Sequence, residues 1–330
     1  MLQLFRTNQP LVAILLLAYA ILLRAHNFIF PTNWQPTDPD IFSQMVYSWV
    51  GTNGFGANFL ALLLVFIQAL VLNAVVNNYK MTKQASYYPG LAYIFVASCL
   101  PEFLELHPIH FANTFLILVL LELFSSYKKH IAASEVFNVG FFIAIGSLFY
   151  FSANSFLLLA FIGLATIRSF NFKEISIILI GYFVPFFLLG TFLFWEDRFN
   201  EFIPVIGDFS FFNIYFASSW YNYAKLGLII FLVLWAFFKY QPLLFKTNIQ
   251  VQKNIGVVYW ALVVGGISFI YQSHVDLGHT LILAVPLAIC FGFGLLKIKN
   301  KAVADFWHLI LLALVLILQY QAYLIGLITG

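Results

Sequence analysis

The sequence predicts an all-α fold, a polytopic transmembrane helical bundle of about eleven spans with one interfacial helix. Three observations predict it. Only 9% of the 330 residues are charged and the mean hydropathy is +0.93, whereas a soluble domain carries roughly 25% charged residues. The apolar residues gather in runs near 10–29, 57–76, 89–104, 109–127, 135–151, 154–168, 174–195, 222–240, 255–272, 279–296 and 303–325, most of them close to the about 20 residues that a spanning helix needs. Finally, the Lys and Arg residues fall into alternate loops.

That alternation sets an orientation. With the N-terminus inside, the inner loops hold Arg6, Lys80, Lys83, Lys128, Lys129, Arg168, Lys173, Lys239, Lys246, Lys253, Lys297, Lys299 and Lys301, thirteen of the 16 Lys and Arg. Retained loops keep their basic residues in the cytoplasm, so the chain is expected in a bacterial inner membrane with a cytoplasmic N-terminus. Arg24-Ala25-His26-Asn27 offers no small-x-small cleavage site after the first apolar run, so that run reads as a retained span. The spans at 89–104 and 154–168 are short enough to be tilted, partly re-entrant or buried among neighbours. The whole of 1–330 reads as one integral membrane domain, with its two longest loops, 30–56 and 196–221, outside.

The first outer loop contains a helix of its own. From Asp40 to Val50 the apolar residues Ile41, Phe42, Met45, Val46, Trp49 and Val50 fall on one face, and Ser43, Gln44, Tyr47 and Ser48 on the other. This pattern predicts an amphipathic helix in the interface plane, with Asp38 or Asp40 as N-cap and Pro39 in the first turn. Gly51, Gly54 and Gly56 end it.

The outer side gathers the residues able to do chemistry. Asp38-Pro39-Asp40 offers a carboxylate just above the membrane, either as a helix cap or as a general base toward a hydroxyl. Pro101-Glu102-Phe103-Leu104-Glu105-Leu106-His107-Pro108-Ile109-His110 puts two acids and two histidines into ten residues, a solvated turn or a place to orient a ligand. Ser273-His274-Val275-Asp276-Leu277-Gly278-His279 is a third such loop. The spacing of His107, His110, His274 and His279 matches no metal-ligand motif, so neither a metal nor a cofactor is expected. Among the scarce outer cations, Arg24 beside His26 is the foremost phosphate partner and Arg198 the second; Lys225 reads as a snorkelling side chain. Glu122, Asp305 and His308, on the inner side, read as helix-end or packing groups. Scattered basic residues give no nucleic-acid footprint, and no P-loop or dinucleotide fingerprint is present.

Two resemblances attach to particular segments. Ile167-Arg168-Ser169-Phe170-Asn171-Phe172-Lys173-Glu174, Gly181-Tyr182-Phe183-Val184-Pro185, Phe194-Trp195 and the stretch around Ala284-Val285-Pro286-Leu287-Ala288 look like a family of bacterial polytopic inner-membrane proteins of unknown function. The acids before an interfacial helix, the Pro101-Glu102 loop and the late Pro286 span resemble the GT-C class of membrane glycosyltransferases, without a clean Asp-Glu pair or a soluble C-terminal domain. That resemblance implies a polyprenyl-phosphate-linked sugar donor, with Asp38 or Asp40 as base and Glu102, Glu105 and His107 assisting. His26, His110, His274, Asp276 and His279 would then line the substrate site beside Arg24 and Arg198. The partners would be membrane lipids and possible envelope proteins. A transporter or lipid flippase, a non-catalytic envelope subunit and, more distantly, a metal-dependent oxygenase are the other readings.

Overall fold

The computed structural model describes residues 2–7, 9–32, 34–36, 39–169, 171–202, 213–214, 219–244, 247–271, 274–298 and 300–321, with backbone alone at 213–214, 239–244, 271 and 274–275. The described residues form twelve α-helices. Eight elements are long and apolar enough to cross a membrane. They are α1 (Leu11–Ile29), α3 (Phe55–Asn78), α5 (Pro108–Ser125), α8 (Phe172–Trp195), α9 (Trp220–Leu244), α10 (Ile249–Ile267), α11 (Ala284–Leu296, with the 3₁₀ turns Leu277–Leu283 before it) and α12 (Lys301–Gln319). The shorter helices are α2 (Ile41–Val50), α4 (Tyr88–Val96), α6 (Ala133–Phe149) and α7 (Phe156–Ile167). A two-residue parallel bridge pairs Asn213 with His274 and Ile214 with Val275.

Length and burial decide which helices form the centre. α4 has nine residues, all buried; at 1.5 Å per residue it covers roughly half of a 30 Å hydrocarbon core. It therefore needs protein on every side. Its main partner is α11, buried from Ala284 to Leu295, and Phe95 stacks on Phe291 with ring centroids 5.4 Å apart. The outer helices carry the opposite surface. Leu11 (71% exposed), Phe187 (70%) and Phe238 (79%) project from α1, α8 and α9. Water would not tolerate such a girdle, whereas lipid tails do.

Helices α6 and α8 approach most closely at two facing glycines. A methyl group on Gly140 would overlap the Ile178 carbonyl, and one on Gly181 would overlap that of Phe137. Small residues let membrane helices pack backbone against backbone, where dispersion replaces the hydrophobic force lipid cannot supply.

Hydrogen bonds tie the bundle together at its two ends. At the lysine end, Arg168 donates to the carbonyls of Ser126 and Lys129, both at 2.7 Å, and pairs with Glu174 at 2.9 Å. Leu2 N donates to Asp305 Oδ1 (2.9 Å), Tyr19 bonds His308 (3.0 Å) and Asn138 donates to Glu122 (3.0 Å). These three sequence candidates are thus engaged in packing contacts. The opposite end, called here the histidine end, carries the remaining candidates.

Candidate functional site

Helix α2 supplies the first wall, and two residues of its polar face, Ser43 and Tyr47, are turned inward while Gln44 and Ser48 stay exposed. Ser43 Oγ donates to the Phe149 carbonyl (2.7 Å) and Tyr47 Oη to that of Leu106 (2.8 Å). Trp49 (85%) and Met45 (51%) are exposed instead. The helix therefore docks through hydroxyls that satisfy loop carbonyls, with Phe42 and Val46 packed beside them and Met45 and Trp49 left exposed. Two further sequence expectations need correction. Pro39 lies before the N-cap rather than in the first turn, and Asp40, although at the N-cap position, does not cap its own helix. Its Oδ2 instead accepts from the backbone N–H of Phe151 at 2.9 Å. Gly51 and Gly54 close the segment at φ +82° and +94°, where a side chain would be strained. Asp38 lies outside the described residues.

The loop between α4 and α5 forms the floor. Glu105, 8% exposed, accepts from Thr32 Oγ1 at 2.8 Å through one carboxylate oxygen, and its other oxygen is buried with no hydrogen-bond partner. Burial, with Glu102 and Asp276 nearby, pushes its carboxyl up to about 8. Burial likewise raises Asp40 to about 7, against the opposing pull of the Phe151 N–H. Glu102 pairs with Lys225 at 2.6 Å. Lys225 is buried, so it does not snorkel; a carboxylate partner has drawn its ammonium inward.

His107 is the N-cap of α5. Its Nδ1 accepts from Ile109 N at 3.2 Å, which leaves the ring proton on Nε2. Burial pushes it down to about 3, so the ring is neutral. Trp34 packs over it at 5.4 Å and Tyr150 edge-on at 5.8 Å. A Cβ on Gly278 would lie 3.2 Å from both His107 Nε2 and Asp276 Oδ1. A larger residue there would require one or both side chains to give way by a few tenths of an ångström. Asp276 in turn accepts from His279 N at 3.0 Å, starting the turn that leads into α11.

His279 looks like the base of a serine relay, but its hydrogen bonds run the other way. Ser268 Oγ donates to the Gly265 carbonyl (2.6 Å), so His279 Nε2 must donate to Ser268 (3.1 Å). Tyr150 Oη then donates to His279 Nδ1 (2.5 Å). The serine proton is already spent, and the chain holds the loop rather than activating a nucleophile.

The foremost phosphate candidate is placed elsewhere. Arg24 is 1% exposed and donates to the carbonyls of Ala97 (3.3 Å) and Leu104 (2.6 Å). It stitches α1 to the end of α4 and is not at a lipid-facing mouth. Asn27 shares the Leu104 carbonyl at 3.1 Å. His26 packs between Phe30 and Tyr320. His110 is fully buried and bonds the Phe103 carbonyl at 3.0 Å. The side chain of His274 lies outside the described residues. Among the described residues, no three His, Cys, Asp or Glu side chains are placed to share a metal ion.

Arg198 lies at the rim of a cleft of about 740 Å³. Ile41, Met45 and Trp49 of α2 form one wall, and Leu188, Leu189 and Phe192 of α8 the other. Arg198 is exposed and pairs with Glu201 at 2.8 Å. The sequence did not single out Thr32, Trp34, Tyr150, Ser268 or this cleft. Each depends on a contact between distant segments, and only a hydroxyl or a ring marks it in the chain.

Fold and site together are those of an all-helical chain with eight elements long and apolar enough to cross a membrane, consistent with a multi-pass membrane protein. Buried acids, histidines and hydroxyls gather at one end. Comparisons of the chain with known protein families, curated proteins and solved structures found no match.

Proposed function

We propose that this chain is a GT-C-like membrane enzyme acting on a polyprenyl-phosphate-linked substrate at the outer face of a bacterial inner membrane. The observation that carries the reading is the apolar cleft: α2, whose first residues follow Asp40, forms its wall, and Arg198 stands at its rim. An isoprenoid chain fits such walls, and a guanidinium at the rim suits its phosphate. Arg198 would exchange its surface partner Glu201 for that phosphate; Arg24, bound to carbonyls, is a scaffold residue in this reading.

The chemistry is a displacement. The acceptor hydroxyl oxygen bonds to the anomeric carbon, the carbon–oxygen bond to phosphate breaks, and polyprenyl phosphate leaves. A carboxylate takes the hydroxyl proton. Asp40 is the favoured base, with Asp38 on the same segment as the second candidate, and Glu105 and His107 border the acceptor side. This reading takes all eleven apolar runs as spans, which places the N-terminus in the cytoplasm and the histidine end outside.

The alternative, a transporter or flippase, has less support. Several buried polar side chains bond to one another, Tyr93–Gln68 within the helices (2.7 Å) and Asn27–Asn58 near helix ends (2.8 Å), contacts that serve helix packing. A reconstituted transfer assay with a polyprenyl-phosphate-sugar donor tests the proposal. Asp40→Asn should insert normally and lose roughly 10²–10⁴-fold in rate. Full activity in Asp38→Asn, Asp40→Asn and the double variant would remove the base. Orientation has its own check. Cys99 and Cys290 are buried, so a membrane-impermeant maleimide should label Thr32→Cys, and not Lys128→Cys, in intact cells.

A further inference from the structure

The lysine end carries more positive charge than its acids balance. The α5–α6 loop holds Lys128 and Lys129, the first turn of α8 holds Lys173, and α10 contributes Lys253. Lys129 pairs with Glu135 and Arg168 with Glu174, while Glu122 accepts from Asn138. Among the described residues, Lys128, Lys173 and Lys253 meet no carboxylate.

Two of these ammoniums share one aromatic ring. Lys128 Nζ lies 5.5 Å and Lys253 Nζ 5.8 Å from the centre of the Tyr127 ring. The face of a phenol attracts a cation. Lys253 also donates to the Ile167 carbonyl at 2.8 Å, which holds it there half-buried. Two like charges gathered around one ring repel each other, and an anion beside the ring offsets that repulsion. Arg168 steadies the surroundings, because its bonds to the Ser126 and Lys129 carbonyls fasten the α5–α6 loop to the end of α7.

The apolar neighbours indicate the kind of anion. Ile131, in the α5–α6 loop, is 83% exposed, and Phe172, at the start of α8 next to Lys173, is 76% exposed. Water disfavours such side chains standing clear of the protein, whereas the boundary between headgroups and acyl chains accepts them. A free phosphate ion would answer the ammoniums alone. An anionic lipid answers both features, with its phosphate near the lysines and its chains along the apolar side chains.

We infer that Lys128, Lys253 and Tyr127, flanked by Ile131 and Phe172, form a binding site for the phosphate headgroup of an anionic phospholipid. The site lies at the end opposite the proposed transfer chemistry and does not depend on it.

The test titrates the full-length chain in detergent micelles with phosphatidylglycerol or phosphatidylcholine of identical acyl chains. Native mass spectrometry reads the first binding step. Wild type should bind phosphatidylglycerol about tenfold or more tightly than phosphatidylcholine. Lys128→Gln and Lys253→Gln should each lower the phosphatidylglycerol affinity about fivefold, the equivalent of one lysine at a lipid surface. Lys83→Gln removes an equal charge from the exposed turn between α3 and α4 and should change that affinity less than about twofold. Thermal unfolding without added lipid checks each variant; Lys128 is exposed, so Lys128→Gln decides the matter if Lys253→Gln unfolds early. Equal affinity of wild type for the two lipids overturns the inference. So does an equal loss in Lys83→Gln and Lys128→Gln, because the attraction is then spread over the whole end and not seated at Tyr127.

Discussion

The carboxylate of Asp40 accepts a hydrogen bond at 2.9 Å from the backbone N–H of Phe151, 111 residues further along the chain. This bond fastens the start of the interfacial helix α2 to the junction between α6 and α7. It separates two roles that a single residue could combine. An asparagine keeps an oxygen able to accept from Phe151 but cannot take a proton from a hydroxyl.

Asp40→Asn should therefore retain most of the stability and lose transfer, whereas Asp40→Ala should lose transfer and also cost about 1 kcal/mol by removing a charged acceptor from the part-buried Phe151 N–H. Thermal unfolding of the two variants, run beside the transfer assay, checks the split. Equal destabilisation of both would mean that the Phe151 bond contributes little.

The same region sets a pH dependence. Asp40 and Glu105 are raised to about 7 and about 8 when folded, whereas in the unfolded chain such groups titrate near 4. At these two sites the folded protein binds more protons than the unfolded one and loses stability as pH rises. His107, held neutral by burial, acts the other way and gains stability as pH rises through the free imidazole range near about 6.5. Above about pH 6.5, where the histidine contribution has ended, the unfolding midpoint should fall until roughly pH 8 and then level off. Asp40→Asn and Glu105→Gln should each flatten part of the slope. A midpoint rising between about pH 6.5 and pH 8 would contradict the assignment.

Gly140 and Gly181 are tested by the smallest change available. Alanine at either brings a methyl group into the backbone carbonyl of the facing helix, and overpacking of this kind costs about 1–3 kcal/mol. Each single variant should lower the unfolding midpoint. The two effects should not add, since both act by pushing the same pair of helices apart.

Arg24 and Arg198 should part company under mutation. Arg24→Met removes the donor to the Ala97 carbonyl and leaves the Leu104 carbonyl to Asn27 alone, in a fully buried place. It should cost roughly 2–5 kcal/mol and reduce the yield of folded protein. Arg198→Ala touches only the exposed partner Glu201 and should leave stability within about 0.5 kcal/mol. Its KM for the lipid-phosphate donor should rise while kcat stays closer to wild type. A rise in KM confined to Arg24 variants would return the phosphate to that residue.

The contrast between these arginines shows what could be read in the chain itself. Helices are written in apolar runs, and every run contains one; α2 was legible almost to the residue because Ile41 to Val50 repeats at helical spacing. Burial of a single polar side chain is not written there. Arg24 near the end of an apolar run gives the same local signal whether it points to lipid headgroups or to the carbonyls of a neighbour 80 positions away. The inward turn of Ser43 and Tyr47 is equally invisible, because their hydroxyls match carbonyls supplied by other loops. Lys225 reads as an end-of-helix cation until Glu102, 123 positions before it, is seen at its side. Loop chemistry was legible as an inventory of acids and histidines. Their division into pocket and scaffold depends on tertiary contacts.

The most direct measurement is the profile of polyprenyl-phosphate-linked glycans in cells carrying the wild-type gene, no gene, or Asp40→Asn at normal protein level. The account predicts that one lipid-linked species accumulates equally in the last two strains and returns to baseline with wild type. Identical profiles in all three, with the Asp40→Asn protein present in the membrane, would contradict it.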